Sequence, residues 1–388
     1  MDIATTAAGD QFELNEDQRA VQAMAQAFAA ERVAPNALEW DREKHFPADV
    51  IRETGPLGLG GIYVRDDVGG SALGRLDAVL VFEALARACP AFSSFISIHN
   101  MASSMIDRFG GEEQRQRFLP KLTAMEWLAS YCLTEPGSGS DAAALKTRAV
   151  RDGDHYVLNG TKQFISGAGD SDLYVVMART GADGPKGIST LVVEKDAPGL
   201  SFGANERKMG WHMQSTRQVI FQDCRVPAEN LLATEGAGFS IAMSGLDGGR
   251  LNIAACSLGG AQSALDKALA YGGERKAFGK AIDQFQALQF RLADMETELQ
   301  AARIFLYAAA AKLDAKAPDA SKWSAMAKRF VTDTGFEVAN GALQLFGGYG
   351  YLHDYGMEKL VRDLRVHQIL EGTNEIMRVI VARHLIGR

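Results

Sequence analysis

One carboxylate, Glu371, stands between an apolar pair and a glycine near the end of the chain. The preceding Ile369 and Leu370 can shield it from water, and a partly desolvated carboxylate is a stronger base. Gly372 gives the backbone freedom to turn, and Thr373 can cap the amphipathic helix predicted to follow. Glu371 is therefore a candidate general base. The alternative is an ordinary helix start with a solvated glutamate.

A second candidate is a glycine-rich turn. The segment Gly137–Ala142 fits the GxGxxA pattern of dinucleotide-binding turns and follows the strand-like run Tyr131–Thr134. That pattern holds a pyrophosphate only when a long helix follows it within a parallel βαβ unit. Here the helix-like stretch Ala142–Leu145 lasts about one turn before strand-like residues resume at Thr147. We therefore reject a Rossmann unit, although these glycines can still let backbone amides approach a cofactor.

Three arginines are candidates for binding an anionic ligand, because arginine stays charged and makes paired contacts with phosphates. Arg275 stands at a predicted helix end, where the alternative is a solvated charge. Asp247 and Arg250 are three residues apart, and the alternative there is an intrahelical ion pair. Arg383 lies one turn beyond Val379, and a surface ion pair is the alternative.

The length of the chain exceeds what one hydrophobic core usually serves. With 388 residues, 47% of them hydrophobic, two or three domains are expected. The formal charge of −7 argues against nucleic acid or an anionic membrane as the main partner. It is compatible with an anionic small ligand held by a few arginines.

Cysteine and histidine spacing predicts neither disulfides nor a metal site. Cys89, Cys132, Cys224 and Cys256 form no CxxC pair and are expected to be free thiols. No HxxxH or HExxH pair occurs among the histidines. No basic-then-apolar leader follows Met1, and no run of 18 apolar residues is present. We therefore expect a cytoplasmic protein without a targeting segment, of bacterial origin.

Hydrophobic periodicity divides the chain into three regions, which we predict to be domains. Residues 1–128 show the three-four spacing of helices. Residues 129–238 show strand patterns, with a hairpin signal at Asp152-Gly153. Residues 239–388 are helical again, with the apolar seam of a long helix from Phe285 to Leu299. The predicted fold is an N-terminal all-α domain, a middle antiparallel β-barrel or sandwich, and a C-terminal four-helix bundle.

Taken in chain order, these regions and five motifs resemble the acyl-CoA dehydrogenase family over nearly the whole chain. Each motif is weak alone, but their order and spacing together identify the chain as similar to that family. The motifs are Tyr131–Asp141, Asn159–Ser166, Arg275–Gly279, Gln344–Gly350 and Glu371–Thr373.

The resemblance implies a reaction and a role for the carboxylate. Glu371 matches the base that removes the pro-R α-proton of an acyl-CoA thioester, while the N5 atom of FAD takes a hydride from the β-carbon to give a 2,3-enoyl-CoA. The backbone N–H of Glu371 and a flavin ribityl hydroxyl are the implied donors to the thioester oxygen. In some relatives the base stands just before the arginine of the Asp-x-x-Arg segment, but that position is Gly249 here.

The resemblance also implies which residues hold FAD and CoA. Phe164 stands where the family often has Trp, so stacking area is kept but the indole donor is lost. Contacts around the isoalloxazine ring and ribityl chain are implied for Tyr131, Cys132, Leu133, Thr134, Gly139, Ser140, Phe164, Ile165 and Ser166. Those to the rest of FAD are implied for Arg275, Phe285, Gln286, Gln344, Leu345, Phe346, Gly347, Gly348, Thr373, Asn374 and Glu375, with Gln344–Gly348 reaching the FAD of a neighbouring subunit. CoA contacts are implied for Ser140, Asp247, Gly248, Gly249, Arg250 and Arg383.

Within the family, three segments are most similar to enzymes of valine breakdown: Phe164–Gly169, Asp247–Arg250 and Val366–Glu371. The expected substrate is therefore isobutyryl-CoA, with electron-transfer flavoprotein as partner and a homotetramer, a dimer of dimers, as the assembly. The alternatives are 2-methylbutyryl-CoA or a straight short-chain acyl-CoA as substrate, or an acyl-CoA oxidase that discharges to oxygen. A methylene in an apolar pocket changes binding by only about 1–3 kcal/mol, so the sequence does not choose among the acyl chains.

Overall fold

The computed structural model describes residues 13–387. Its first part is helical, as predicted. The helices of this part are α1 (Glu16–Phe28), α2 (Ala37–Glu43), α3 (Ala48–Arg52), α4 (Arg75–Ala88), α5 (Pro90–Phe109) and α6 (Glu112–Thr123). Asn15 and Gln18 form a capping box that starts α1. Residues 78–86 of α4 are all buried, so this helix lies inside the molecule, and its one charged residue there, Glu83, binds Arg303 and Tyr307.

The middle part is an 8-stranded sheet in the order β6-β7-β3-β2-β4-β5-β8, with β1 beside β4. The strands are β1 (Ala129–Cys132), β2 (Arg148–Asp152), β3 (His155–Ser166), β4 (Leu173–Arg179), β5 (Ile188–Glu194), β6 (Leu200–Phe202), β7 (Thr216–Pro227) and β8 (Leu231–Leu232). The predicted hairpin joins β2 to β3, with Gly153 at a φ of 63° in its turn.

The sheet departs in one respect from the antiparallel prediction. Most strand pairs are antiparallel, but β1 and β2 each pair with β4 in parallel. Parallel neighbours require a long connection, and the excursion through β2 and β3 provides it between β1 and β4. The periodicity of single strands does not contain this information, because it reports burial and not pairing. The rejected dinucleotide turn is followed by a single short 3₁₀ turn at Ala142–Ala144, as expected.

The last part is helical again. Long α7 (Gly238–Glu274), α8 (Gln286–Asp314) and α9 (Ala320–Phe346) pack together, and α10 (Met357–Arg365) and α11 (Asn374–Ile386) pack against α9. Between α7 and α8 lies a small hairpin of β9 (Lys276–Ala277) and β10 (Lys280–Ala281). The predicted order of helical, β and helical parts is therefore confirmed. The domain limits 1–128, 129–238 and 239–388 stay our proposal.

Helix α7 runs through the core and touches α4, α5, α8 and α9. Its 37 residues include Gly259, where a Cβ would lie 2.2 Å from the carbonyl oxygen of Glu83 on α4. Glycine therefore sets how closely the two helices approach. Between residues 13 and 387, no helix is long and apolar enough to cross a membrane.

Gly259→Ala is expected to destabilise the fold by about 1–3 kcal/mol, because overpacking against a backbone carbonyl forces the helices apart. The matched control is Gly273→Ala on the same helix, where the nearest atom to the new Cβ is Asp283 Oδ2 at 3.6 Å. That control should gain about 0.5–1 kcal/mol from the lower cost of ordering alanine. Urea unfolding followed by circular dichroism measures both, and equal stability of Gly259→Ala and wild type would contradict this account.

Candidate active site

The candidate base lies in an unusual backbone turn. Glu371 has a φ of 55° and Gly372 a φ of 86°, so two successive residues are left-handed. For a non-glycine residue this conformation costs about 1–2 kcal/mol. Thr373 follows at once and caps α11, its Oγ1 accepting from the N–H of Ile376 at 3.3 Å. The predicted cap is confirmed, and the turn and the cap together fix where the carboxylate stands.

The carboxylate of Glu371 is enclosed on the side of α7. A Cβ at Gly249 would lie 2.7 Å from Glu371 Oε2 and 3.2 Å from Met101 Sδ. Glu371 Oε2 is buried and has no hydrogen-bond partner among residues 13–387, and the same holds for the hydroxyl of Tyr131 on β1. Two unpartnered polar atoms in one enclosed region are what a site for a polar ligand requires.

The buried surroundings of Glu371 favour the protonated form of its carboxyl group. Burial raises the pKa of Glu371 to about 7, and the positive charges of Arg250 and Lys328 act in the opposite direction. A base acts best when its pKa lies near the working pH, so this value suits general-base catalysis at neutral pH. Below that pKa the carboxyl is protonated and cannot accept a proton.

Asp247 and Arg250 form an intrahelical ion pair, which was the alternative to a ligand contact in the sequence analysis. Arg250 Nη1 donates to Asp247 Oδ1 at 2.5 Å, and Asp247 also accepts from Ser321 Oγ at 3.0 Å. The Nε of Arg250 is buried without a partner among the described residues 13–387. The ion pair with Asp247 therefore leaves the Nε of Arg250 without a partner. A contact between Arg250 and CoA stays a proposal.

The two segments predicted around the flavin ring lie side by side. The N–H of Gln163 donates to the carbonyl of Thr134 at 2.8 Å, and Ser130 Oγ donates to the carbonyl of Ser166 at 2.6 Å. Phe164 has a φ of 60° and is 63% exposed, so it presents a flat apolar face at the surface.

Other members of these two segments differ in what they expose. Cys132 and Ile165 lie in the core of the β region, so only their backbones can meet a cofactor. Leu133 is buried as well. Gly139 and Ser140 are exposed in the loop after β1.

A third group of predicted residues gathers in a cleft of about 630 Å³, which Arg275 lines together with Gln344, Leu345, Phe346, Gly347 and Gly348. The guanidinium of Arg275 stacks over Tyr349, 5.4 Å from the ring centre. Phe285 packs edge-on against Phe278 beside this region, and Gln286 is exposed at the start of α8. Neither Glu371 nor the two charged residues that act on it, Arg250 and Lys328, lines this cleft.

The remaining predicted residues divide between interior and surface. Asn374 is buried, and its side chain contacts α9 through Thr332 and Asp333. Glu375 and Arg383 are exposed on α11. Gly248 is buried, and a Cβ there would meet the guanidinium of Arg75 at 2.4 Å. Because the side chain of Asn374 is buried against α9, it is not exposed at the surface for a ligand.

Sequence reasoning missed Lys328, which is fully buried on α9. Its amine donates to the carbonyl of Gly372 at 2.8 Å and to Asn374 Oδ1 at 2.9 Å. A signal for its burial was present, because Ser324, Lys328 and Thr332 share one face of α9 at four-residue spacing. Only the fold reveals that this face meets the Glu371 turn.

The residues present fit a flavin nucleotide. The exposed ring of Phe164 offers a stacking surface, and the buried hydroxyl of Tyr131, on the other segment, has no partner among residues 13–387. A Cβ at Gly137 or Gly139 would meet nothing within 4 Å, so this loop leaves room for a ligand.

The described structure joins a helical part, a β part and a second helical part, and it encloses a desolvated carboxylate that suits a general base. The chain matches the descriptions "Acyl-CoA dehydrogenase, N-terminal domain" over residues 15–126, "middle domain" over 130–224 and "C-terminal domain" over 236–386. The chain belongs to the acyl-CoA dehydrogenase family. It is an oxidoreductase, and its cofactor is FAD.

Similar proteins agree with this assignment. Over 373 residues, 96% of this chain and 90% of the relative, it is 60% identical to "Isobutyryl-CoA dehydrogenase, mitochondrial" of Dictyostelium discoideum. Over the same shares it is 54% identical to the protein of that name from Bos taurus. A chain in a solved structure titled for the electron transferring flavoprotein of Acidaminococcus fermentans is 42% identical, with a TM-score of 0.95, and the match covers 97% of this chain and all of that one.

Proposed function

We propose that this enzyme dehydrogenates isobutyryl-CoA to methacrylyl-CoA, with Glu371 as the base. The observation that carries the proposal is the buried Glu371 Oε2, without a hydrogen-bond partner within residues 13–387, held over the bare backbone of Gly249. Support for the substrate comes from the two relatives named for isobutyryl-CoA.

In this mechanism the chain binds, orients and deprotonates the thioester. Ionised Glu371 accepts the α-proton at Oε2, and its backbone N–H donates to the thioester oxygen, where negative charge develops. Arg250 and Lys328 favour the ionised form of the base before transfer. When bound, FAD supplies the acceptor for the hydride that leaves the β-carbon. The enclosed walls limit water around the reacting atoms, which strengthens each of these electrostatic effects.

A short acyl chain is favoured by two methionines of α5 that fill space beside α7. Met101 lies against Gly249, and a Cβ at Gly245 would come within 2.0 Å of the terminal methyl of Met105. Both side chains are buried, so they occupy volume that a longer acyl chain would need. This packing supports a short substrate without choosing between branched and straight chains.

Isobutyryl-CoA is expected to be preferred over isovaleryl-CoA by about tenfold or more in kcat/KM, because one methylene is worth about 1–3 kcal/mol in an apolar pocket. Steady-state rates on C3–C6 straight and branched acyl-CoAs, with an artificial electron acceptor, measure this. The panel includes 2-methylbutyryl-CoA and butyryl-CoA, the substrates of the two alternatives. A higher kcat/KM for isovaleryl-CoA would overturn the proposed specificity.

The electron acceptor is a separate part of the proposal. We infer that electrons pass to an electron-transfer flavoprotein, a partner supported by the similar chain in the Acidaminococcus fermentans structure. An acyl-CoA oxidase shares the base but discharges to oxygen. Oxygen uptake with substrate alone distinguishes the two, and uptake as fast as dye reduction would favour the oxidase.

A homotetramer is the proposed assembly, with Gln344–Gly348 reaching the FAD of a neighbouring subunit. Its support is the distribution of the predicted FAD residues, since the cleft lined by Arg275 and Gln344–Gly348 includes neither Glu371 nor the charged residues that act on it. Exposed Phe278 and Tyr351 add apolar surface to this part of the chain. Light scattering measures the mass in solution. A cytoplasmic location stays a prediction, and both named relatives are mitochondrial.

A further inference from the structure

Lys328 has a buried amine that forms no ion pair with any carboxylate between residues 13 and 387. Its two hydrogen-bond partners, the carbonyl of Gly372 and Oδ1 of Asn374, are neutral. Burial of an ammonium group without a paired charge is costly, and it lowers the pKa of Lys328 to about 7, against the attraction of Glu371. Since no ion pair accounts for the burial of Lys328, its position must be explained by something else that it contacts.

The position of its hydrogen bonds points to the base. Gly372 and Asn374 flank Thr373, so Lys328 joins both sides of the segment that follows Glu371. The strained left-handed conformation of Glu371 persists only when its surroundings hold it. Asn374 is held further by Thr332 and Asp333, one turn along the same helix. Helix α9 therefore fixes the turn on which the carboxylate stands.

Lys328 also differs electrostatically from the other groups that face Glu371. Arg250 of α7 is paired with Asp247, which offsets part of its charge. Tyr131 of β1 is neutral, since burial and Glu371 raise the pKa of its hydroxyl. His367 lies buried before the turn, and burial lowers its pKa to about 3, so it is neutral as well. Cys256 of α7 is neutral too, because burial raises the pKa of its thiol to about 11. Lys328 forms no ion pair, although Asp333 of α9 and Glu375 of α11 act on it at longer range and raise its pKa.

We infer that Lys328 is a positioning residue for proton abstraction: it holds the Glu371 turn through Gly372 and Asn374, and its positive charge favours the ionised form of the base. The inference rests on the proposed role of Glu371. Removing the charge raises the pKa of Glu371, so the rising limb of the pH profile of kcat moves to higher pH. A merely structural lysine would change stability or KM and leave that limb in place.

The test compares Lys328→Met, Lys328→Gln and Lys328→Arg, each loaded with FAD, in the pH dependence of kcat with isobutyryl-CoA. Lys328→Met should shift the rising limb up by about one pH unit, because loss of a nearby opposite charge changes a carboxyl pKa by this much or more. The rate should then fall about tenfold near pH 6 and much less near pH 9, with KM changed by less than about threefold. Lys328→Arg keeps the charge and should restore the wild-type profile.

Lys328→Gln retains a hydrogen-bond donor without the charge, and it decides the matter if Lys328→Met does not fold. A shifted limb in Lys328→Gln with a normal limb in Lys328→Arg supports the electrostatic role. Lys322→Met is the matched control, because it removes one charge from the same helix at a side chain that pairs with Asp319. If the rising limb of the pH profile stays in place in both Lys328→Met and Lys328→Gln, the inference is overturned. Full activity of Glu371→Gln would instead overturn the proposed function on which it rests.

Discussion

Glu371→Gln is expected to abolish dehydrogenation while leaving the fold and the FAD content intact. The amide keeps the shape of the side chain but cannot accept the α-proton. Loss of general-base catalysis alone should lower the rate by at least ~10²–10⁴-fold. Since burial raises the pKa of Glu371, replacing the carboxyl by a neutral amide also removes a desolvation cost, and the variant should be at least as stable as wild type.

Flavin bleaching by isobutyryl-CoA under anaerobic conditions, followed by stopped flow, measures the step directly. The companion variant is Glu371→Asp, which keeps the carboxylate but withdraws it by one methylene. A misplacement of ~1 Å can cost about 10²-fold, so the expected order of rates is wild type, Asp, then Gln. Equal FAD content in all three excludes a cofactor effect. Bleaching of Glu371→Gln at near the wild-type rate would place the base elsewhere.

Gly249→Ala is expected to lower kcat by about 10–10²-fold, the second largest loss, although Gly249 takes no part in proton transfer. The added methyl would lie 2.7 Å from Glu371 Oε2 and 3.1 Å from its Cδ, closer than carbon and oxygen atoms pack. The carboxylate must therefore move away from α7, and small displacements of a reacting group have large kinetic effects. KM should change less than kcat, since the displaced atom acts in the transition state.

The control for this variant is again Gly273→Ala, which adds a methyl to α7 with only ordinary contact near Asp283. Its kcat should equal that of wild type. The same stopped-flow assay measures both variants, and an absorbance spectrum verifies that each holds FAD. If Gly249→Ala bleaches as fast as the control, the carboxylate is not held against Gly249 during the reaction.

Local patterns predicted much of this protein, since they depend on neighbours in the chain. The Thr373 cap, the left-handed turn at Gly372 and the β2–β3 hairpin all follow from residues a few positions apart. The rejection of a Rossmann unit also held, because one 3₁₀ turn cannot present a helix N-terminus to a pyrophosphate. The order of the motifs predicted the family, and the resemblance to that family predicted Glu371 as the base.

Contacts between distant parts of the chain were decided by the tertiary structure alone. The parallel pairing of β1 with β4 depends on which strands meet, and alternation of side chains reports only which face is buried. The side chain of Asn374 lies inside because Thr332 and Asp333 of α9 bind it, while its contact with FAD stays a prediction. Lys328 lies 43 positions before Glu371, so no local pattern could join them.

The sequence by itself therefore determined the class of the fold, the family and the identity of the candidate base. Only the folded chain decided how strong that base is, because the pKa of Glu371 depends on burial and on the charges of Arg250 and Lys328. Those charges come from α7 and α9, far from the base in sequence. Electrostatic interactions fall off with distance in space and do not depend on separation along the chain. For that reason the reactivity of Glu371 is a property of the tertiary structure.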